Sequence, residues 1–454
     1  MRKHWIDNLR WATVLLVLFY HVIYFYNNKG VFGGIGGFGE FPEVQQYQDV
    51  VMYMLYPWFM PLLFLLAGMS TRYSLQRKTG KEWFRSRTLK LLVPSTVGLF
   101  VFHWMVGYFN TVTAAEVIFK DMPLVAKYML FAISGTGPLW FAQDLWLFSL
   151  LFLLAGMSTR YSLQRKTGKE WFRSRTLKLL VPSTIGLFVF HWMVGYFNTV
   201  TAAEVIFKDM PAVAKYMLFA ISGTGPLWFA QDLWLFSLLF LIVRKLDGKD
   251  KFWTLCGKSG IVVILLLGVL YWVAEQTLIM NPREDSADGL LNLYKPIFYF
   301  VVFLMGYFVF SHEEVQEKVR KAWIPLMACA VIAGVILIVS TWGENNTSPQ
   351  YLSSPMNCLY GWLMCLALMG LFNARYDCTN TFSQYMTRSS YGLYIVHYLV
   401  VAALGYQMKV HTDLPPVAMY VILTIAVFAL SPAIYELLHR IPFVRWCVFG
   451  EKKC

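Results

Sequence analysis

Twelve long apolar runs dominate this sequence and decide what it can fold into. Each has roughly the 20 residues that an α-helix needs to cross a bilayer. Charged residues make up only 14% of the chain, against about 25% in soluble domains. We therefore predict an all-α, polytopic transmembrane bundle of about twelve spans. The runs lie at 10–27, 49–69, 91–109, 138–158, 179–197, 226–243, 259–277, 294–311, 323–341, 355–373, 390–408 and 416–436.

Two consecutive segments of the sequence are near-identical copies of each other. Residues 150–237 repeat residues 62–149, with Ile185 in place of Val97 and Ala212 in place of Leu124. A direct repeat this close indicates a very recent tandem duplication or an artefact of sequence assembly. Each copy contributes two spans, so a ten-span chain underlies the twelve. We interpret 1–454 as a single membrane domain that contains these tandem duplicate units.

The positive charge is distributed as in a membrane protein rather than a nucleic-acid-binding one. The net charge is +13, and the basic loops all fall on one side if both termini are cytoplasmic. We expect a bacterial inner-membrane protein that contacts lipid and binds no nucleic acid. The seven cysteines have no CxxC spacing, so we expect no disulfide framework and no metal site.

The first span, in "RWATVLLVLFYH", carries two residues that are costly in lipid. Arg10 and His21 are eleven residues apart, which places them on one helix face and about 16 Å apart along the axis. Asp7, one turn earlier, can pair with Arg10. A cation at the membrane surface and a titratable base deeper in suit a polyanionic ligand with a reactive end. The alternative is a snorkelling arginine and a packed histidine.

Three further groups invite a similar choice between a functional and a structural role. The phrase "FRSRTLKLLVP" places Arg85, Arg87 and Lys90 before a span, and its repeat places Arg173, Arg175 and Lys178 before another. These residues fit a phosphate clamp or a positive-inside signal alone. His397 lies mid-span in "SSYGLYIVHYLVV", where it lines a cavity or simply packs.

Six elements in order resemble acyltransferase family 3, a group of multi-helix membrane acyltransferases. They are "DNLRWATVLLVLFYH", "FLLAGMST", "RTLKLLVP", "PLWF", "LYIVHYLV" and "YELLHRIPFVRWCVFG", and they extend from one end of the chain to the other. The family pattern of an arginine, ten residues and a histidine falls on Arg10 and His21. The spacing of Arg10 and His21 alone is weakly specific for the family, whereas six elements in the family's order are strong evidence of the resemblance.

The resemblance implies an O-acyltransferase with no resident cofactor. Acyl-CoA would bind from the cytoplasm as the donor substrate, and the acyl group would pass to a hydroxyl, usually of a carbohydrate, at or across the membrane. His21 would be the general base or a transient acyl carrier, with Arg10 and Asp7 orienting the donor. The family's remaining donor-binding positions fall on Arg87, Lys90, Arg175, Lys178, Trp140, Trp228 and His397.

The duplication is the departure from the family pattern, because a ten-span fold has one place for each element. From connectivity alone we expect Arg87 and Lys90 of the first copy, and Trp228 and Asp232 of the second, to form the site. Lys90 stands where the family commonly has arginine, which weakens bidentate phosphate binding. Two alternatives remain: a polytopic transporter, and an acyltransferase that the duplication has inactivated.

Overall fold

The computed structural model of the protein describes the N-terminal part and the C-terminal half of the chain. The described residues are 3–26, 41–75, 77, 80–98, 101–102, 104–106, 108–109, 128, 250–277, 296–343, 351, 353–449 and 451. Within these residues every regular element is helical. Contacts divide the chain into two units, Met1–Trp146 with Phe252–Ala287 and Leu291–Cys454, and Leu147–Lys251 with Asp288–Leu290. All the residues discussed below as a candidate site belong to the first unit.

The described helices follow the apolar runs of the sequence. Two five-residue π-helical turns also occur, Thr88–Leu92 and Gly306–Phe310. The α-helices are α1 His4–Tyr24, α2 Gln45–Leu75, α3 Gly80–Arg87, α4 Val93–Gly98, α5 Lys251–Gly257, α6 Ile261–Thr277, α7 Pro296–Met305, α8 Glu313–Lys321, α9 Trp323–Thr341, α10 Pro355–Arg375, α11 Thr381–His411, α12 Pro416–His439 and α13 Pro442–Phe449.

Six of these helices are long and apolar enough to cross a membrane, and the number reaches eight if each of two bent helix pairs is one span. The bent pairs are α5 with α6, at 116°, and α7 with α8, at 96°. Eight of the twelve predicted runs thus coincide with described helices or bent pairs. Only fragments of the run 91–109 are described, and the runs 138–158, 179–197 and 226–243 lie outside the described residues.

One helix boundary differs clearly from the hydropathy prediction. Helix α11 begins at Thr381, nine residues before the predicted start at 390. Asn380 caps its first turn: the Asn380 side chain accepts from the Ser383 backbone, and the Ser383 hydroxyl accepts from the Asn380 backbone. This capping box satisfies amide groups at the helix start, so the helix extends through a polar stretch that hydropathy alone does not register.

The first helix lies among the helices that carry the other candidate residues. Helix α1 packs against α2, α10, α11 and α12. Trp5, Leu9 and Leu18 on α1 are each 1% exposed, so the helix is buried on several sides. A residue on α1 can therefore face α2 or α11, depending on its position around the helix.

Helix α2 also packs against α7 and the π-helical turn that follows it, and there the backbones are in contact. A Cβ added at Gly68 would overlap the carbonyl oxygen of Phe303, and one added at Gly306 would overlap the carbonyl oxygen of Leu65. Two facing glycines let helix backbones touch, as at small-residue interfaces between membrane helices. This crossing fixes the position of Gly68, which directly precedes the sequence "MST" (residues 69–71) of α2.

Candidate active site

The start of α1 is tied to the loop that precedes α11. The Asn8 amide donates hydrogen bonds to the carbonyl oxygens of Tyr376 (2.7 Å) and Cys378 (2.8 Å). The Trp5 backbone N–H donates to the Asp377 carboxylate at 2.9 Å. Hydrogen bonds to backbone groups fix both direction and register, so these contacts set how α1 lies along α11.

Arg10 links α1 to α2 through its two terminal nitrogens. Nη1 donates to the Asp7 carboxylate at 3.0 Å, the ion pair predicted from their spacing, and Nη2 donates to the Ser70 hydroxyl at 2.7 Å. The Ser70 hydroxyl itself donates to the Leu66 carbonyl at 2.7 Å. Because its single proton is directed at that carbonyl, the Ser70 oxygen is left to accept from Arg10.

Arg87 reaches the residue next to Ser70. Its Nη2 donates to the Thr71 hydroxyl at 3.4 Å, and the guanidinium lies over the Trp83 ring at 5.6 Å from the centroid. Burial, and then the nearby positive charge of Arg10, lower the pKa of Arg87 to about 10. Arg87 therefore keeps its charge at neutral pH, and two cations lie close together over one turn of α2.

Lys90, the other basic residue of this element, has an exposed side chain. It belongs to the π-helical turn Thr88–Leu92. Pro94 lacks the N–H that the Lys90 carbonyl would bind in an α-helix, which accounts for a wider turn at this point. The structure places the guanidinium of Arg87 at a hydroxyl group of α2, that of Thr71.

His21 lies in the last turn of α1 and meets His397 of α11. Nδ1 of His21 and Nε2 of His397 are 2.8 Å apart. The ring centroids are 4.9 Å apart with planes inclined at 26°, as for two imidazoles that meet edge to edge through these nitrogens. His21 is 6% exposed and His397 is fully buried. The Tyr398 ring packs edge-on against both, 5.6 Å from His21 and 6.1 Å from His397.

Arg10 and His21 share a helix but face different partners. Arg10 bonds to Ser70 on α2 and His21 bonds to His397 on α11. The arginines lie near the start of α1 and the histidine pair near its end, about 16 Å further along the helix axis. The arrangement provides positive charge at one end of α1 and an imidazole pair at the other.

A polar cavity of about 440 Å³ opens beside the arginine end of α1. Asp7 and His4 line it from α1, and Gln384, Thr387 and Arg388 line it from the first turns of α11. Its size falls within the range of small-molecule sites. The cavity therefore lies between the same two helices that carry the histidine pair.

The remaining predicted donor-binding residues, Arg175, Lys178, Trp140 and Trp228, lie outside the described residues, as does Asp232. Sequence reasoning assigned no role to Asn8 or Ser70, although both stand in elements that it quoted. Their only signal was a polar residue at the end of an apolar run, which is common in membrane helices. The contact between His21 and His397 could not be predicted from hydrophobic periodicity, because periodicity does not show which helices pack together.

The family comparison agrees with the elements that surround these residues. The family model of the acyltransferase domain matches the chain twice, at residues 3–163 and 151–436. The chain belongs to acyltransferase family 3. The matches include Arg10, His21, Arg87 and His397, and they overlap at 151–163, beside the junction of the two copies. No curated protein and no solved structure matched the chain.

Proposed function

We propose that this protein transfers an acyl group from acyl-CoA to a hydroxyl group of a carbohydrate at the inner membrane. One observation carries the proposal beyond family membership. Helix α1 has Arg10, close to Arg87, near one end and the buried His21 at the other. A long donor with anionic phosphates at one end and a thioester at the other has the matching distribution of charge and reactivity.

The guanidinium groups of Arg10 and Arg87 would bind the phosphates of the donor. Arginine suits this role because its planar fork donates two parallel hydrogen bonds to phosphate oxygens. Asp7 holds Arg10 from one side at 3.0 Å and so fixes the direction of its second nitrogen. The polar cavity beside Asp7 offers room for the rest of the donor's polar part.

His21 would act as the general base. The acceptor hydroxyl gives its proton to the imidazole of His21 while its oxygen bonds to the thioester carbonyl carbon. The C–S bond then breaks, and the leaving thiolate of CoA takes the proton back from His21. A positioned imidazole typically accelerates such a step by about 10²–10⁴-fold.

The donor and acceptor classes are part of the same proposal. The six sequence elements that mark the family also resemble those of glucan biosynthesis protein C, a succinyl transferase for periplasmic glucans. We therefore propose a succinyl or similar short acyl donor and a glucan acceptor. Both termini would be cytoplasmic, which places Arg10 near the side where acyl-CoA is made.

Membrane vesicles that contain the full chain test this proposal directly. Vesicles are supplied with [¹⁴C]succinyl-CoA or [¹⁴C]acetyl-CoA and a glucan, and label in the glucan is counted. We expect label from at least one donor, and its loss in the His21→Ala variant. Label that persists in this variant would remove His21 from the chemistry. Absence of label with both donors, also in the 366-residue chain that lacks 150–237, would contradict the function.

A further inference from the structure

The hydrogen-bond pattern around His397 fixes which nitrogen of each histidine carries a proton. Nδ1 of His397 lies 2.7 Å from the carbonyl oxygen of Tyr394. A carbonyl oxygen only accepts hydrogen bonds, so Nδ1 of His397 must carry a hydrogen. A neutral imidazole has one N–H, so Nε2 of His397 has a lone pair and can only accept.

The same reasoning carries over to His21. Nε2 of His397 is 2.8 Å from Nδ1 of His21. Because Nε2 of His397 accepts, Nδ1 of His21 must donate. The lone pair of a neutral His21 is then on Nε2, the nitrogen that points away from His397.

We infer that His397 is a positioning residue that holds His21 in the tautomer with its basic lone pair on Nε2. The Tyr394 carbonyl fixes the tautomer of His397, and His397 fixes the tautomer of His21. The neutral histidine side chain in water prefers a proton on Nε2, so the structure selects the less common form at both rings. The carboxylate that orients the histidine of a Ser-His-Asp triad has the same relation to it.

This assignment differs from a donor-binding role for His397, which the family position alone implied. His397 is fully buried, and its two ring nitrogens are occupied by Tyr394 and His21. Neither nitrogen is left to bind a phosphate or a thioester. A residue that acts only through His21 affects the chemical step rather than the affinity for the donor.

The tautomers can be measured without any enzyme assay. The full-length protein is labelled with [¹⁵N]histidine, placed in lipid bilayers at about pH 8, where ordinary imidazoles are neutral, and studied by solid-state NMR. The eight histidines are assigned by the signals lost in His21→Gln and His397→Gln. We expect a protonated Nδ1 and an unprotonated Nε2 for both residues. A protonated Nε2 on His21 would overturn the inference, whatever the protein's activity.

The kinetic test rests on the proposed function and separates positioning from donor binding. His397→Gln keeps an acceptor oxygen near the place of Nε2, whereas His397→Phe keeps a ring without any acceptor. We expect kcat within about tenfold of the native value for Gln and at least about 100-fold lower for Phe, with little change in the KM for acyl-CoA. A raised KM with an unchanged kcat, or equal losses in both variants, would contradict the positioning role.

Folding of the variants is checked separately by thermal unfolding in detergent. If the Phe variant does not fold, His397→Leu, which is smaller and equally without an acceptor, takes its place in the same comparison. If neither apolar variant folds, the NMR measurement on the native protein still decides the tautomer. If the protein proves to be no acyltransferase, the same measurement stands by itself.

Discussion

Arg10 and Arg87 donate hydrogen bonds to consecutive residues of α2, Ser70 and Thr71. Two cations are thus gathered on one helix turn from elements on either side of α2 in the sequence. Arg87 belongs to the first copy of the duplicated segment, and Arg175 is its counterpart in the second. Ser70 and Thr71 belong to the first copy as well, so the hydrogen bond that Arg10, outside the duplication, donates to Ser70 favours the first copy as the one that serves the site.

The duplication supplies a matched control for this conclusion. Arg87→Ala and Arg175→Ala remove the same residue from the same local sequence, "FRSRTLKLLVP". We expect the first change to raise the KM for acyl-CoA about tenfold or more, since a charged hydrogen bond contributes about 1.5–3 kcal/mol, and the second to leave it unchanged. Transfer kinetics in vesicles measure both. Equal effects, or a larger effect at Arg175, would show that the second copy serves the site.

The Ser70 hydroxyl is expected to direct Arg10. In Ser70→Ala the Nη2 nitrogen loses its acceptor, so the guanidinium is no longer held between Asp7 and α2. We expect a several-fold rise in the KM for acyl-CoA with a smaller change in kcat. Ser340→Ala is the control, because the Ser340 hydroxyl also bonds back to its own helix, at Leu337, away from the arginines. A KM unchanged in Ser70→Ala would argue against Arg10 as a donor ligand.

The backbone contact at Gly68 is expected to tolerate no side chain. Gly68→Ala would press a methyl group against the Phe303 carbonyl, and such overpacking costs about 1–3 kcal/mol. Thermal unfolding in detergent should show a clearly lower Tm. Gly260→Ala is the control, since a Cβ there meets no atom within 4 Å. Equal melting temperatures for the two variants would mean that α2 and α7 do not cross at backbone contact.

The hydrogen bonds of Asn8 should matter to both stability and the histidine pair. Asn8→Ala removes the amide that donates two hydrogen bonds to carbonyl groups of the loop before α11. Those carbonyls lose these partners, at a cost of about 1–3 kcal/mol. We expect a lower Tm and a loss of transfer activity that exceeds the loss of folded protein. Asn373→Ala, which removes a single longer hydrogen bond to Gln316, is the comparison. If Asn373→Ala lowers the Tm and the transfer activity more than Asn8→Ala does, the hydrogen bonds at the start of α1 do not orient this helix.

Hydropathy predicted much of the fold, and the reason is physical. A run of about 20 apolar residues has few stable forms in lipid other than a helix, so the described spans coincide with the predicted ones. The first turns of α11 escaped this reasoning, because a capping box rather than apolarity makes them helical. The family pattern supplied Arg10, His21, Arg87 and His397 as candidates.

What the sequence could not provide is which residues meet. Arg10 and His21 were expected on one face of α1, yet their partners are on different helices, because a helix face about 100° wide can touch two neighbours. His397 was expected at the donor, and the structure places its two ring nitrogens against His21 and Tyr394. Pairings across hundreds of residues depend on helix packing, on which local sequence carries no information.

The separation of His21 and His397 in the sequence also determines how late during synthesis their contact can form. They are 376 residues apart, and a ribosome adding about 5–20 residues per second needs roughly 20–75 s to cover that interval. Throughout that time α1 resides in the membrane without the helix that its histidine faces, and without the loop that Asn8 binds. The nascent chain must therefore keep Arg10 and His21 compatible with lipid until about its last sixth, which begins with α11, emerges. A chain truncated before α11 would insert, but its first helix would never acquire its partner.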